Sequence, residues 1–275
     1  MIDVLTHEAP LRLTVFLGML ALMIGAEAVF PRKTRTQPRR TRWATNAALV
    51  VVDTLALRLA LPLLAVAAAV IAEDRGWGIF NVLAAPAWLE WIAAFLLLDL
   101  ALWAQHVATH RVPALWALHK VHHADRDLDA TSGLRFHPVE IVLSMIYKIA
   151  VVAALGAPAE VVVLFEIALN AAAIFNHANV RLPKAVDAAL RTLIVTPDFH
   201  RVHHSTRPEE TNSNYGFFLS VWDRLFRVYR AEPAGGHDAM RLGLAEHQTD
   251  QPSQLLWCLI APITTSKRGR EAAVQ

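Results

Sequence analysis

H-V-A-T-H-R-V-P-A-L-W-A-L-H-K-V-H-H occupies residues 106–123, and it carries histidine at positions His106, His110, His119, His122 and His123. A copy of its ending, H-R-V-H-H, returns with His200, His203 and His204. Each imidazole offers a nitrogen suited to iron, zinc or copper. Packing alone gives no reason for so many in one short segment. The chain has thirteen histidines in 275 residues, and ten of them fall between His106 and His204.

The stretch follows directly on an apolar run, and such runs dominate the chain. The hydrophobic fraction is 55%, above the roughly 45–50% of soluble domains, and mean hydropathy is +0.36. The excess lies in blocks long enough to span a bilayer. Formal net charge is only +2, so bulk charge points to no nucleic-acid partner. The single cysteine, Cys258, rules out an intrachain disulfide and any cysteine-based metal site.

Residues 1–10 read as a short polar lead, and residues 11–30 as a first span broken only by Arg12 and Glu27. Arg32, Lys33, Arg35, Arg39, Arg40 and Arg42 follow with no acid among them. That flank marks a retained anchor rather than a cleaved signal peptide, and the positive-inside rule places it in the cytoplasm. Residues 44–72 form a second apolar block containing Asp53 and Arg58. These charges either face a protein interior or cavity or snorkel to the interface. Residues 83–104 return through the membrane, with Pro86 suited to a first helical turn and Trp88 and Trp91 to an aromatic belt. Parity then puts His106 and His110 on the cytoplasmic side.

Residues 139–175 are interrupted by Lys148 and by Gly156-Ala157-Pro158. The halves, about 18 residues each, sit at the lower limit of spanning length and read as a helical hairpin that delivers His177 to the same side as His106; a pair of re-entrant segments gives the same parity. Beyond Arg181 no span is required, and residues 255–263 are too short to cross. The expected fold class is therefore an all-α integral membrane protein: about three transmembrane helices plus a helical hairpin, with a cytoplasmic histidine-rich helical cap. The chain divides into N-terminal spans (1–80), a catalytic region (81–230) and a tail lying at the interface or on the domain (231–275).

His106 and His110, at i and i+4, share one helix face. His119 and His122 repeat the grip at i and i+3, with His123 pointing elsewhere, and His200, His203 and His204 do the same. His177 stands in F-N-H-A-N, and His137 precedes Pro138. Nine candidate ligands result. A closed tetrahedral zinc site needs four, so nine suit two ions. His137 is left open between ligand, partner of a ligand and neither. His7, His237 and His247 stand apart and are not expected to bind metal. No glutamate precedes a histidine by three residues, as soluble di-iron bundles require. There is no His-Glu-x-x-His of zinc proteases.

These boxes resemble the integral-membrane fatty acid hydroxylase / sterol desaturase superfamily. Membrane acyl desaturases share the three-box pattern, but the surrounding text is hydroxylase-like. It includes Leu115-Trp116, Arg135-Phe136-His137-Pro138, Asn176-His177-Ala178-Asn179, Pro197 before the third box, Asn214-Tyr215-Gly216 and Trp222-Asp223-Arg224-Leu225-Phe226. The family often continues with Gly-Thr, where this chain has Arg227-Val228. The resemblance implies two iron ions, O2 as co-substrate, and electrons from a separate reductase or small redox protein. It also implies hydroxylation or desaturation of a membrane lipid such as a sterol or fatty acyl chain. Asp99, Asp198 and Asp223 are expected to orient ligating histidines, although Asp223 also suits a surface pair with Arg224 or Arg227. Loops 125–134 and 207–214 are expected to frame the substrate entrance, and the site to face the cytoplasm from a bacterial inner membrane. The alternatives are an acyl desaturase and a non-catalytic metal-binding or transport protein. The sequence leaves the oligomeric state open.

Overall fold

The computed structural model describes residues 2–83 and 85–264, and of residues 2–7 the backbone alone. Residues 265–275 of the expected tail lie outside the described residues. The apolar runs fold as helices, the arrangement that satisfies backbone N–H and C=O groups within a bilayer. Five segments are long and apolar enough to cross a membrane: Glu8–Val29, Arg39–Val82, Ala87–Arg111, Pro138–Leu155 and Ala159–His177. Large apolar side chains on their outer faces, such as Leu17, Leu22, Leu55, Ile92 and Leu143, are exposed, as lipid-facing positions should be. Among the described residues the only strand-like pairings are three isolated bridges. The protein is an all-helical integral membrane protein.

Two local expectations change. The polar lead is helical, since the first helix runs Ile2–Val29. The block 44–72 is not one helix: Arg39–Ala60 stops at Leu61, and Ala65–Arg75 starts after Leu64. Pro62 explains the break, because its ring and missing N–H disrupt the i→i−4 ladder. Ala65, Ala68, Ala69 and Ala72 are buried in the second piece. Small side chains there let it lie close against both arms of the hairpin. The hairpin forms as expected, Pro138–Leu155 and Ala159–His177, and turns at Gly156 with φ 64°. Leu255–Thr264 packs on Leu49 and Val121 through Cys258 and Ala261.

The basic segment after the first helix lies at the histidine end of the bundle, where it binds the cap together. Arg42 is fully buried and forks onto Asp125 (2.7 Å to each oxygen) and Asp129 (2.8 Å). Asn46 reaches Thr131 Oγ1 at 2.9 Å, and Asp127 accepts from the backbone N–H groups of Thr36 and Gln37. Glu27, in the first helix, accepts from Ala130 N and Asn179 N. Loop 125–134 is thus a pinned strut rather than a free rim, and only its end, Gly133 and Leu134, lines the larger cavity between the helices.

The departure at Arg227-Val228 has a structural counterpart. The short helix Val221–Leu225 ends with Val228 N donating to Asp223 O (2.8 Å) and Arg227 N to Arg224 O (3.2 Å). This is the paired 6→1 and 5→2 closure whose left-handed position favours glycine. Arg227 occupies it with φ 60°. Arg227→Gly should therefore raise stability by about 0.5–1 kcal/mol, once the roughly 1–2 kcal/mol strain of a left-handed L-residue is set against glycine's entropy. An unchanged or lower unfolding temperature in detergent would contradict this.

Candidate metal centre

His106 and His110 project from the last turns of Ala87–Arg111. The helix stops at Val112, and Pro113 opens the next, Pro113–His123, where a missing N–H costs nothing. That sharp turn folds His119, His122 and His123 back over His106. His177 ends the second arm of the hairpin. Thr196 caps the helix Pro197–His203, its hydroxyl accepting from Phe199 N, and Pro197 again takes the first position.

The nine expected histidines converge, and they sort into two groups of ring nitrogens lying within 4.8 Å of one another. One holds His106, His110, His119, His123 and His203; the other holds His122, His177, His200 and His204. The groups abut, with the rings of His123 and His204 stacked at 4.4 Å. The expected i, i+3 grips are corrected. His119 shares its group with His123 and His200 with His204, while His122 and His203 cross to the other group. An i, i+4 pair is about 40° apart around a helix of 3.6 residues per turn and an i, i+3 pair about 60°. Between two adjacent centres, the wider pair divides.

The hydrogen bonds behind the rings determine what faces the centre. His106 Nδ1 meets Tyr215 O (2.7 Å), His203 Nδ1 meets Ser213 O (2.7 Å), His122 Nδ1 meets Arg135 O (3.0 Å), and His177 Nδ1 meets Ala173 O (2.7 Å). A carbonyl only accepts, so each Nδ1 carries the proton, and in a neutral ring Nε2 is then a bare lone pair. His106 Nε2 nevertheless lies 3.1 Å from Nε2 of both His119 and His203. His177 Nε2 lies 3.1 Å from His122 Nε2 and 3.2 Å from those of His200 and His204. Between His106 and His119, His106 and His203, and His177 and His122, both rings are held this way, His119 through Glu140. Their lone pairs are directed at one another and repel, and only a shared cation turns the arrangement attractive. Metal–nitrogen bonds of about 2.1 Å put neighbouring ligand atoms roughly 3.0–3.4 Å apart, and these spacings match. The donor set fits two ions.

Glu140 was missed in the sequence. Its Oε1 lies 2.5 Å from His119 Nδ1, the carboxylate–histidine pairing that orients a ligand. Its only sequence signal is an acid in the first turn of an apolar helix, three residues after His137. The three expected aspartates lie further back. Asp223 is fully buried, not a surface partner of Arg224 or Arg227. It accepts from Tyr215 N, Gly216 N and Trp103 Nε1, and so holds the residue whose carbonyl orients His106. Burial pushes its carboxyl up to about 6. Asp99 accepts from Trp222 Nε1 and Leu219 N, and Asp198 pairs with Arg32. None of the three reaches a histidine of either group.

His137 lies outside both groups and caps its own helix, taking Val139 N on Nδ1, with Nε2 3.2 Å from Leu259 O. His237 faces Glu232 and Asp198, and His247 packs on Trp257. The side chain of His7 lies outside the described residues.

A mostly apolar cavity of about 740 Å³, which also carries Glu8, Arg12, Asp53, Arg58, Lys148 and Glu166, runs between the helices; no histidine lines it, but part of its wall backs onto this centre. Phe136, in its wall, stacks on His122 with centroids 4.5 Å apart. Gly133 is required at the same end, because a Cβ there would meet Ala173 O at 2.4 Å and His177 Nδ1 at 3.1 Å. Asp53 lines the cavity, buried, with Oδ1 unpartnered. Of the two readings of this acid, the interior one holds; Arg58 is exposed but lines the same cavity.

Comparison with known proteins gives one family. The fatty acid hydroxylase profile matches residues 91–228. The chain is 28% identical over 165 residues to human alkylglycerol monooxygenase, covering 58% of this chain and 34% of that one. Against the Danio rerio alkylglycerol monooxygenase it is 31% identical over 160 residues, 57% and 34% of the two chains. Against the ornithine lipid hydroxylase OlsE of Rhizobium tropici it is 26% identical over 148 residues, 54% and 44%. The matched part thus spans less than half of each relative's length. No solved structure matches.

The centre also sets a pH dependence. Burial first, and then neighbouring imidazoles, hold His122, His123, His200 and His204 well below the usual imidazole range; burial takes His203 down to about 3. The unfolded chain, with ordinary imidazoles near 6.5, binds more protons, so stability rises with pH. Metal-free protein should lose stability steadily as pH falls from about 7 toward 4. Burial alone would raise Asp125, but Arg42 holds it at about 2, so its contribution is lost only below that window. A flat unfolding temperature between pH 7 and pH 5 in the presence of chelator would refute the neutral-cluster reading.

Proposed function

The chain belongs to the fatty acid hydroxylase family, and from that premise we propose that it is a membrane-bound, non-haem di-iron oxygenase that hydroxylates a lipid. The single observation that carries the reading is the pair of buried histidine groups, packed behind Phe136 and Gly133 in the wall of a mostly apolar cavity. His106, His110, His119, His123 and His203 would hold one iron, and His122, His177, His200 and His204 the other. Two irons, with O2 as co-substrate and an external electron donor, supply oxidising chemistry that side chains lack.

The residues themselves position and insulate. Backbone carbonyls of Tyr215, Ser213, Arg135 and Ala173 fix four rings in one tautomer, and Glu140 orients His119. Phe136 separates His122 from the cavity and gives an alkyl chain an apolar face. A cavity of about 740 Å³ lies within the usual range for small-molecule sites. Relatives are named for an alkylglycerol and for an ornithine lipid, and a polar-headed lipid is the substrate class carried to this chain. Asp53 offers a hydrogen-bonding group inside the cavity for such a head.

The basic segment and the histidines share one end of the bundle, and the positive-inside rule assigns that end to the cytoplasm. A reductase or small redox protein would dock there from the aqueous side, while the lipid enters from the bilayer. In this reading residues 1–80 supply the N-terminal spans, 81–230 the catalytic region and 231–275 a covering tail, within a bacterial inner membrane.

Iron analysis tests the centre. Protein purified from iron-supplemented cells should hold about two irons per chain, as a two-metal site requires, and His122→Ala and His203→Ala should each lose iron and lipid-dependent oxygen consumption. Less than one metal per chain, or full activity in both variants, would sink the proposal. The cavity is tested separately by Ser144→Trp, which places an indole in its wall. That variant should keep its iron but lose about tenfold to a hundredfold in turnover through misplaced substrate; unchanged turnover would exclude the cavity as the lipid site.

A further inference from the structure

A second, smaller cavity of about 280 Å³ opens on the cap, and no histidine lines it. Five cations do: Lys33, Arg35, Arg126, Arg201 and Arg241, against one acid, Asp127. Asp127 is already committed to the backbone N–H groups of Thr36 and Gln37 and to the Thr36 hydroxyl. Arg35 pairs with Glu27 (2.8 Å) and Arg126 with Asp250 (2.5 Å). The other three have no carboxylate of their own. Lys33 Nζ donates only to the backbone carbonyls of His237, Asp238 and Met240. Arg241 is exposed and makes one bond, to Gln248 Oε1 at 3.3 Å.

Arg201 is the unusual member. It is 1% exposed, yet Nε and Nη1 have no hydrogen-bond partner, and Nη2 has only Ala178 O at 3.2 Å. Its nearest carboxylate, Asp198, stands 3.6 Å away, and Arg32 Nε holds both oxygens of that group at 3.0 Å. The Nε atoms of Arg35 and Arg126 are buried and unpartnered too. Unmade hydrogen bonds on buried charged donors are costly, so these N–H groups call for an anion in the cavity they line.

We infer that this cavity is a phosphoryl-binding site, in which the unpartnered N–H groups of Arg201 hold the group, Lys33 adds its charge, and Arg241 closes over it. The donors approach from three separate parts of the chain: the segment after the first helix, the third histidine box and the C-terminal region. Convergence from several directions suits a tetrahedral oxyanion better than a planar carboxylate, and arginine's fork matches phosphate oxygens. Five cations against one already committed acid suit an anion rather than an alkyl chain. The group is therefore a free phosphate or the phosphate of a lipid headgroup at the membrane face. The site shares no ligand atom with the histidine centre, and the inference does not depend on the reaction proposed for it.

The test uses the full chain, metal-loaded, in detergent and in nanodiscs. Inorganic phosphate should raise the unfolding temperature in detergent above that in chloride at matched ionic strength. Arg201→Gln and Arg241→Glu should each weaken that binding about tenfold, as loss of one charge-assisted hydrogen bond predicts. Should Arg201→Gln fail to fold, Arg241→Glu decides, because that guanidinium is exposed and lightly bonded. Nanodiscs of phosphatidylcholine with and without phosphatidic acid separate the sources. Stabilisation by added phosphate in both kinds supports a soluble ligand. Stabilisation by phosphatidic acid, with no further effect of added phosphate, supports a headgroup. No stabilisation beyond chloride in either arm, or stabilisation undiminished in Arg241→Glu, would overturn the site.

Discussion

Lone pairs on histidine Nε2 atoms, directed at one another across 3.1 Å, are the constraint on which the rest of the structure depends. Such an arrangement is unfavourable by itself. It persists because five rings, His106, His119, His122, His177 and His203, are fixed from behind by a carbonyl or carboxylate, and because those groups belong to elements that cannot move independently. Tyr215 is held by Asp223, which in turn takes Trp103 Nε1. Arg135, whose carbonyl holds His122, sends its guanidinium to Val121 O and Asn46 Oδ1. The strain of the metal-free centre is spread through a buried polar network that includes most of the cap.

That network explains the buried charge. Arg42, Asp125 and Asp129 are almost inaccessible to solvent. A buried ion pair is weak support for stability, since desolvation offsets much of its attraction. Its geometric role is clearer. It fixes the loop after Pro113–His123 against the Arg39–Ala60 helix, and this sets where the next histidine-bearing element begins. The apolar helices then act as a frame, with lipid-facing surfaces outside and the cavity between them ending at Phe136.

Much of this was legible in the chain. The nine histidines read from their spacing are the nine that converge, and Gly156 turns the hairpin where the apolar run breaks. Periodicity and charge carry that information locally. Which histidine joins which group was not legible. His122 and His123 are neighbours in sequence, and only the positions of His177 and His203 separate them. Glu140 was hidden for the same reason, since nothing near it in sequence indicates that His119 lies across from it. Asp223 read equally well as a surface residue, because burial of a short helix depends on what covers it. Pro62 was the one local signal passed over, and it divides residues 44–72 as its chemistry requires.

The clamp by the basic segment has a consequence for the order of assembly. Arg42 is synthesised 83 residues before Asp125, and Arg32 is synthesised 166 residues before Asp198. During insertion this run of cations waits at the membrane surface without its acids, where anionic lipid headgroups are the available counter-ions. Each ion pair formed later displaces such a contact. The cap is therefore completed last, when residues near 200 return to meet a segment anchored since the start of synthesis.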